Sequence, residues 1–187
     1  MFRIQRAALT LAAVVALAGC GDDPFAPDLA PEGVARFSYT GDLTGEFEAV
    51  GRMNRRNPNA GTWAIGQLEG TAENRILGVF AQEREGTLVS GIVLEWRGAH
   101  IGTVTCDETT VNCPFVVNVL IGFQNTTGVS EGAYEGEIGT ITVTALSEDR
   151  AVGTFTLDLP EDVAARPDDG PTLQVSGSFD VSLELTS

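Results

Sequence analysis

This chain contains no lysine. Its eleven basic residues are all arginine, set against 26 Asp and Glu, for a formal net charge of −15. A protein so acidic is repelled by nucleic acid and by anionic surfaces, which argues against a DNA- or RNA-binding role. Histidine occurs once, at position 100. A multi-histidine metal centre is therefore excluded, and any Ser–His catalytic pair would have to use His100. The one Gly-x-Ser-x-Gly string, Gly128-Val129-Ser130-Glu131-Gly132, is followed by no helical pattern, so it lacks the strand-to-helix context in which that turn exposes a nucleophilic serine. The N-terminal apolar stretch, Ala7 to Ala18 interrupted by Thr10, is well short of the ~20 residues a spanning helix needs. No stretch of the remaining chain carries convincing helical periodicity.

What is present at the N-terminus is ordered in three parts. Arg3 and Arg6 precede the apolar stretch, which closes on Leu17-Ala18-Gly19-Cys20. Positive start, short apolar run and small residues before a cut are the grammar of a signal peptide. The segment resembles the type II signal peptides of bacterial lipoproteins. That resemblance implies removal of residues 1–19 and a diacylglyceryl group on the Cys20 sulfur. It also implies a firm membrane anchor, because two or more acyl chains hold where one binds only marginally. Gly21 stands where an Asp would signal retention at the inner membrane, so the resemblance points to the outer membrane. Without Arg3 and Arg6, nine arginines face 26 acids, and the mature charge is −17.

The other two cysteines, Cys106 and Cys113, are an even pair with six residues between them. In an oxidising compartment they are expected to form a disulfide across a short loop. Residues 20–33, with Pro24, Pro27 and Pro31 and the acids Asp22, Asp23, Asp28 and Glu32, read as a tether, since proline resists helix and ladder alike. Residues 34–187 then form a single domain, of a size that can bury an adequate core.

From Val34 onward the hydrophobic pattern has period two. In Leu173 to Leu185 every odd position is apolar or Gly and every even one polar, the mark of a long strand with one buried face. Ala151–Leu159 and Leu43–Ala49 repeat it. Phe115–Phe123 is apolar on nearly both faces and reads as a central strand. Further strands are expected at Ala35–Thr40, Gly61–Leu68, Ile76–Glu83, Thr87–Trp96 and Ala99–Cys106. Tyr134–Ala145 alternates with a slip, which predicts a β-bulge near Gly139-Thr140. The fold class is thus all-β, an antiparallel β-sandwich or partly closed meander barrel of about ten strands. Pro160 to Pro171 is the one long connection, a candidate crossover between sheets or a flap. The last three strands resemble the C-terminal half of β-rich bacterial envelope lipoproteins, a family that brings no assigned activity.

Gly and an aromatic recur two apart, as Gly45/Phe47, Gly61/Trp63, Gly78/Phe80, Gly153/Phe155 and Gly177/Phe179. Same-face spacing lets a ring from a neighbouring strand lie over bare backbone. Phe47, Trp63, Phe155 and Phe179 are also the residues that would line an apolar ligand site. Arg52, Arg55 and Arg56 form the sole basic cluster, in an Asn/Pro/Gly-rich segment expected to be a hairpin loop. They are candidates to contact an anionic group such as a lipid headgroup or phosphorylated glycan, or simply to pair with neighbouring Glu. Asp168-Asp169-Gly170 and Glu161-Asp162 are the nearest approach to a calcium loop, without its spacing. No cofactor, metal or catalytic residue is expected.

The expected role is therefore non-enzymatic: a structural or binding domain held at the envelope membrane through lipid on Cys20, meeting an envelope protein or glycan. Two other readings stay open. One is a calycin-like carrier of an apolar ligand. The other is a glycan hydrolase using paired carboxylates, with Glu46, Glu48, Asp107, Glu108, Glu135 and Glu137 as the stock. The oligomeric state is left open.

Overall fold

The computed structural model describes residues 32–71, 74–160 and 172–186, with side chains through Glu184. Residues 1–31, including Cys20, lie outside the described residues. So do 161–171, with the acidic pairs considered for calcium.

Eleven strands follow in order: β1 (Gly33–Gly41), β2 (Gly45–Gly51), β3 (Trp63–Glu69), β4 (Ile76–Glu85), β5 (Leu88–Arg97), β6 (Gly102–Cys106), β7 (Phe115–Gln124), β8 (Gly132–Gly136), β9 (Ile138–Leu146), β10 (Arg150–Pro160) and β11 (Thr172–Thr186). All belong to one hydrogen-bonded sheet. It is open and strongly curled into a half-barrel, as expected when about ten twisted strands must cover one core. One wing runs β6-β9-β10-β11-β1-β2, and the other runs β11-β3-β4-β5-β7-β8.

The fifteen-residue β11 joins the wings. Its first part lies between β10 and β1, with Gly177 opposite both Phe155 and Phe37. Its end, Leu183–Thr186, runs on beside Gly66–Glu69 of β3. That short pairing is parallel and every other strand pairing is antiparallel. The alternation read from the sequence holds here. Leu173, Val175, Phe179, Val181 and Leu183 are buried, as are Ala151, Phe155, Leu157 and Leu159 on β10.

The slip in Tyr134–Ala145 has a different cause from the predicted bulge. The segment is two strands. β8 pairs with β7 in one wing, and the chain then crosses at Glu137, so that β9 pairs with β6 and β10 in the other. Changing wings reverses which parity faces the core, and Gly139 takes a φ of +138° there. This split accounts for eleven strands rather than ten. The β9–β10 bulge lies further on, where Ala145 pairs Val152 but Val143 pairs Gly153. A second bulge sets Ile121 and Gly122 against Ser90, whose hydroxyl accepts from the Gly122 N–H at 3.1 Å.

The meander is also interrupted. β6 leaves β5 for the outer edge of the opposite wing, and the chain returns to β7. Cys106 at the end of β6 is bonded to Cys113 just before β7, so the disulfide ties one wing to the other beside the β8–β9 crossing. The Pro160–Pro171 connection is not a crossover. It joins two strands that pair directly, Pro160 opposite Thr172.

The concave face is filled by one large apolar cluster, and no polar or charged side chain is fully buried among the described residues. The Gly–aromatic repeat builds part of it reciprocally. Gly153 lies opposite Phe179 and Phe155 opposite Gly177. A Cβ on Gly153 would sit 2.5 Å from the Phe179 ring, and one on Gly177 would sit 2.8 Å from the Phe155 ring. Phe37 stacks on Phe47 at 4.4 Å and approaches Phe155 at 6.3 Å. Gly61 does not follow the rule, since nothing lies over it.

Candidate functional site

The segment carrying Arg52, Arg55 and Arg56 is not a hairpin loop. β2 and β3 sit in different wings and do not pair, so residues 52–62 are a bridge between wings that lies over the outer face of β3 and β4. The reason is in β3 itself. Its even positions Ala64 and Leu68 join the main core, while Trp63 and Ile65 are buried on the opposite face with Met53, packed by Phe80. An outer face that apolar must be covered, and the bridge covers it.

Specific bonds hold the bridge down. Trp63 Nε1 donates to the Pro58 carbonyl at 2.8 Å, and Gln82 Nε2 donates to the Gly61 carbonyl at 2.9 Å. The Arg84 backbone N–H donates to Thr62 Oγ1 at 3.0 Å, and its guanidinium donates to the Asn59 carbonyl. Within the bridge, Asn54 accepts from the Asn57 N–H through its carbonyl and from the Arg56 N–H through its side chain.

Arg52 and Arg55 are engaged with carboxylates. Arg55 pairs with Glu184 on β11, both partly buried. Arg52 Nε lies 3.9 Å from Glu32 at the start of the described chain. Arg56 is exposed on the bridge. The cluster therefore stands where the chain enters the domain, since Gly33 pairs with Gly51 and Ser182 Oγ donates to the Glu32 carbonyl at 3.0 Å.

The four aromatics considered as ligand contacts are not brought together. Phe47, Phe155 and Phe179 share the main core, while Trp63 belongs to the smaller cluster under the bridge.

Carboxylates gather at the far end of β1, near its hairpin to β2. Tyr134 Oη donates to Asp42 Oδ2 at 3.4 Å. The Tyr39 hydroxyl is pushed above its ordinary pKa by burial, then by the charges of Glu131 and Glu83. Glu83 is itself raised, first by burial. A hydrogen bond from the Glu48 backbone opposes this, and the charges of Glu85 and Glu48 add to it. Glu46 and Glu48 project outward from β2, Glu135 and Glu137 flank the end of β8, and Asp107 and Glu108 lie in the disulfide loop. The Asp107 carboxyl is held low chiefly by hydrogen bonds from Thr109 and Thr110. Glu83 was not singled out from sequence. Its distinguishing feature is contact with β2 across the wings, which local spacing does not encode.

His100 is exposed, with Nδ1 3.0 Å from the Gly98 carbonyl oxygen and its ring edge-on to Trp96 at 5.2 Å. Among the described residues no three His, Cys, Asp or Glu side chains converge to hold a metal ion. Comparison with protein-family models, curated proteins and solved structures finds no match.

Proposed function

We propose that this chain is a lipid-anchored β domain of the bacterial cell envelope, at the outer membrane, with a structural or binding role rather than an enzymatic one. The observation that carries the reading is Leu17-Ala18-Gly19-Cys20 behind Arg3, Arg6 and the short apolar run. Two features support it. The Cys106–Cys113 bond suits an oxidising compartment, and the segment before Glu32 is built of proline and acid, as a spacer is. A binding or structural role is favoured over a carrier because Phe155 and Phe179 close directly on glycine backbone. It is favoured over a hydrolase because the acids of β2 point outward.

The test is metabolic labelling with radioactive palmitate in an expressing bacterium. The protein should take up label and enter the membrane fraction, and Cys20→Ala should lose both. Unlabelled full-length chain in the cytosol, residues 1–19 attached and Cys106 and Cys113 reduced, would overturn the reading.

A further inference from the structure

Among the described residues, β2, β6 and β8 each pair with one strand only and so form edges of the sheet. An edge strand offers unpaired N–H and C=O groups to any strand that can lie beside it, and proteins blunt such edges with charge, proline or a bulge. β2 carries the exposed Glu46 and Glu48, and β8 carries Glu135. β6 has none of these devices. Gly102-Thr103-Val104-Thr105-Cys106 is uncharged, contains no proline and pairs with β9 without a register shift. Its neighbour β9 is uncharged throughout as well, in a chain with 26 acids. No backbone bond reaches the other side of β6 among the described residues.

The chemistry that β6 accepts is visible on its paired side. Thr103 and Thr105 face outward and meet Thr142 and Thr140, hydroxyl to hydroxyl at 2.9 Å. Val104 lies opposite Ile141 on the core side. The complement of Thr-Val-Thr is thus a threonine, an aliphatic residue and a threonine, and Thr-Val-Thr reads the same in reverse. We propose that β6 pairs antiparallel with β6 of a second copy of this chain, about a two-fold axis at Val104. In that register Val104 lies opposite Val104 of the second copy, and Thr103 lies opposite its Thr105. The hydroxyl pairs made with β9 are then repeated on the free side, and the partly buried Val104 gains an apolar neighbour. Such a contact uses the same surface on both copies and closes with two of them. The acidic disulfide loops do not meet, because Asp107 and Glu108 of each copy fall beside Ile101 and His100 of the other. Ile101 is 62 % exposed, and Val111 in the disulfide loop is 82 % exposed. Each end therefore adds apolar surface to a ladder that alone is smaller than a stable interface requires. The chain's own segments outside the described residues do not suit this edge. Residues 20–31 carry Pro24, Pro27 and Pro31, and residues 161–171 carry Pro167 and Pro171, none of which can donate to a ladder. The pairing does not depend on lipid at Cys20.

The test uses the full chain as an expressing bacterium makes it, extracted in detergent. Sedimentation in density-matched detergent should show monomer passing to dimer as concentration rises. Thr103→Cys and Thr105→Cys, made separately, report the register. Residues directly opposite have Cβ atoms about 4.5–5.5 Å apart, whereas identical positions in this register are diagonal, about 7–8 Å apart. Mild oxidation should therefore link the two variants when mixed and neither one alone, with the 103–105 link identified by mass spectrometry. Thr103→Lys with Thr105→Lys sets lysine opposite lysine at both pairs and should weaken dimerisation about tenfold or more. Thr140→Val with Thr142→Val loses the same two hydroxyl bonds without touching the free edge, and should leave the dimer in place. A chain that is monomeric at every concentration overturns the proposal. So does a dimer indifferent to lysine on β6, a dimer lost equally in the valine variant, or a link formed within one cysteine variant alone. Palmitate labelling is unaffected by any of these results, so the anchor is judged separately.

Discussion

Gly177→Ala and Gly45→Ala are the same chemical change opposite an aromatic ring, and they should have very unequal consequences. In a strand interior, alanine ordinarily gains about 0.5–1 kcal/mol over glycine by restricting the unfolded chain. At Gly177 a Cβ would lie 2.3 Å from the Arg36 carbonyl oxygen, 2.5 Å from Phe37 Cβ and 2.8 Å from Phe155 Cζ. The first is backbone of a paired strand, and the other two belong to buried rings packed on one another, so none can yield cheaply. Overpacking of this kind costs about 1–3 kcal/mol, and three simultaneous conflicts at the centre of β11 put Gly177→Ala near the upper figure, about 2 kcal/mol net. At Gly45 the Cβ would meet only the outer end of the Tyr39 ring, 2.4 Å from its hydroxyl. Tyr39 is half-buried near the sheet margin and can swing aside, so Gly45→Ala should change stability by less than about 0.5 kcal/mol. Urea titration with the disulfide intact reads the difference. With a slope of roughly 2 kcal/mol per molar, Gly177→Ala should lower the midpoint by about 1 M and Gly45→Ala should leave it in place. Equal midpoints for the two variants would show that packing over glycine does not organise this core.

Three further outcomes follow from the same structure. Replacing Cys106 and Cys113 by serine opens a link with a sequence separation of only 7, so the loss should be at most about 2.5 kcal/mol; a larger fall in the urea midpoint would mean that the bond between wings does more than restrain the unfolded chain. Trp63→Phe removes the donor to the Pro58 carbonyl, at about 1 kcal/mol. It should also speed tryptic cleavage after Arg55 and Arg56, and an unchanged cleavage rate would mean the bridge is held by its other bonds. The carboxylates respond to pH in opposite senses. Asp180 is held below its ordinary range mainly by hydrogen bonding to Arg150, and Asp107 is held low by Thr109 and Thr110. Their stabilisation is present above the unfolded pKa and lost as pH falls through the folded one. Glu83 is raised by burial, so its effect runs the other way: folding is favoured while it is protonated and loses that advantage as pH rises through its folded value. Glu83→Gln should therefore exceed the parent protein in urea midpoint at pH 7 and match it at pH 4, and equal midpoints at both would contradict this.

Some of the site could be read from the residues and some could not. The Gly153/Phe155 and Gly177/Phe179 spacings were visible in the residues, because two positions along a strand return to the same face, but their reciprocal pairing comes from the β10–β11 register. Arg55 was visible as part of a basic cluster, but its partner Glu184 is 129 positions away and joins it only because β11 runs on past β1 to reach β3. The covering of Trp63 had a trace in the sequence: Trp63-Ala64-Ile65-Gly66 lacks a polar face. That pattern says the outer side of β3 is hidden and does not say by what.

Period-two alternation, turn residues and the absence of helical periodicity determined the strands and the all-β class, since these depend on neighbours within a few positions. The N-terminal motif likewise stands on contiguous residues. Only the tertiary structure decided that the chain changes wings at Glu137, that β6 crosses to the far edge, that β11 joins both wings, and that the arginine bridge lies at the tether end. Those outcomes depend on which distant strand completes each hydrogen-bond ladder. Alternation specifies which face of a strand is buried, and the same pattern fits any partner whose apolar face it can cover.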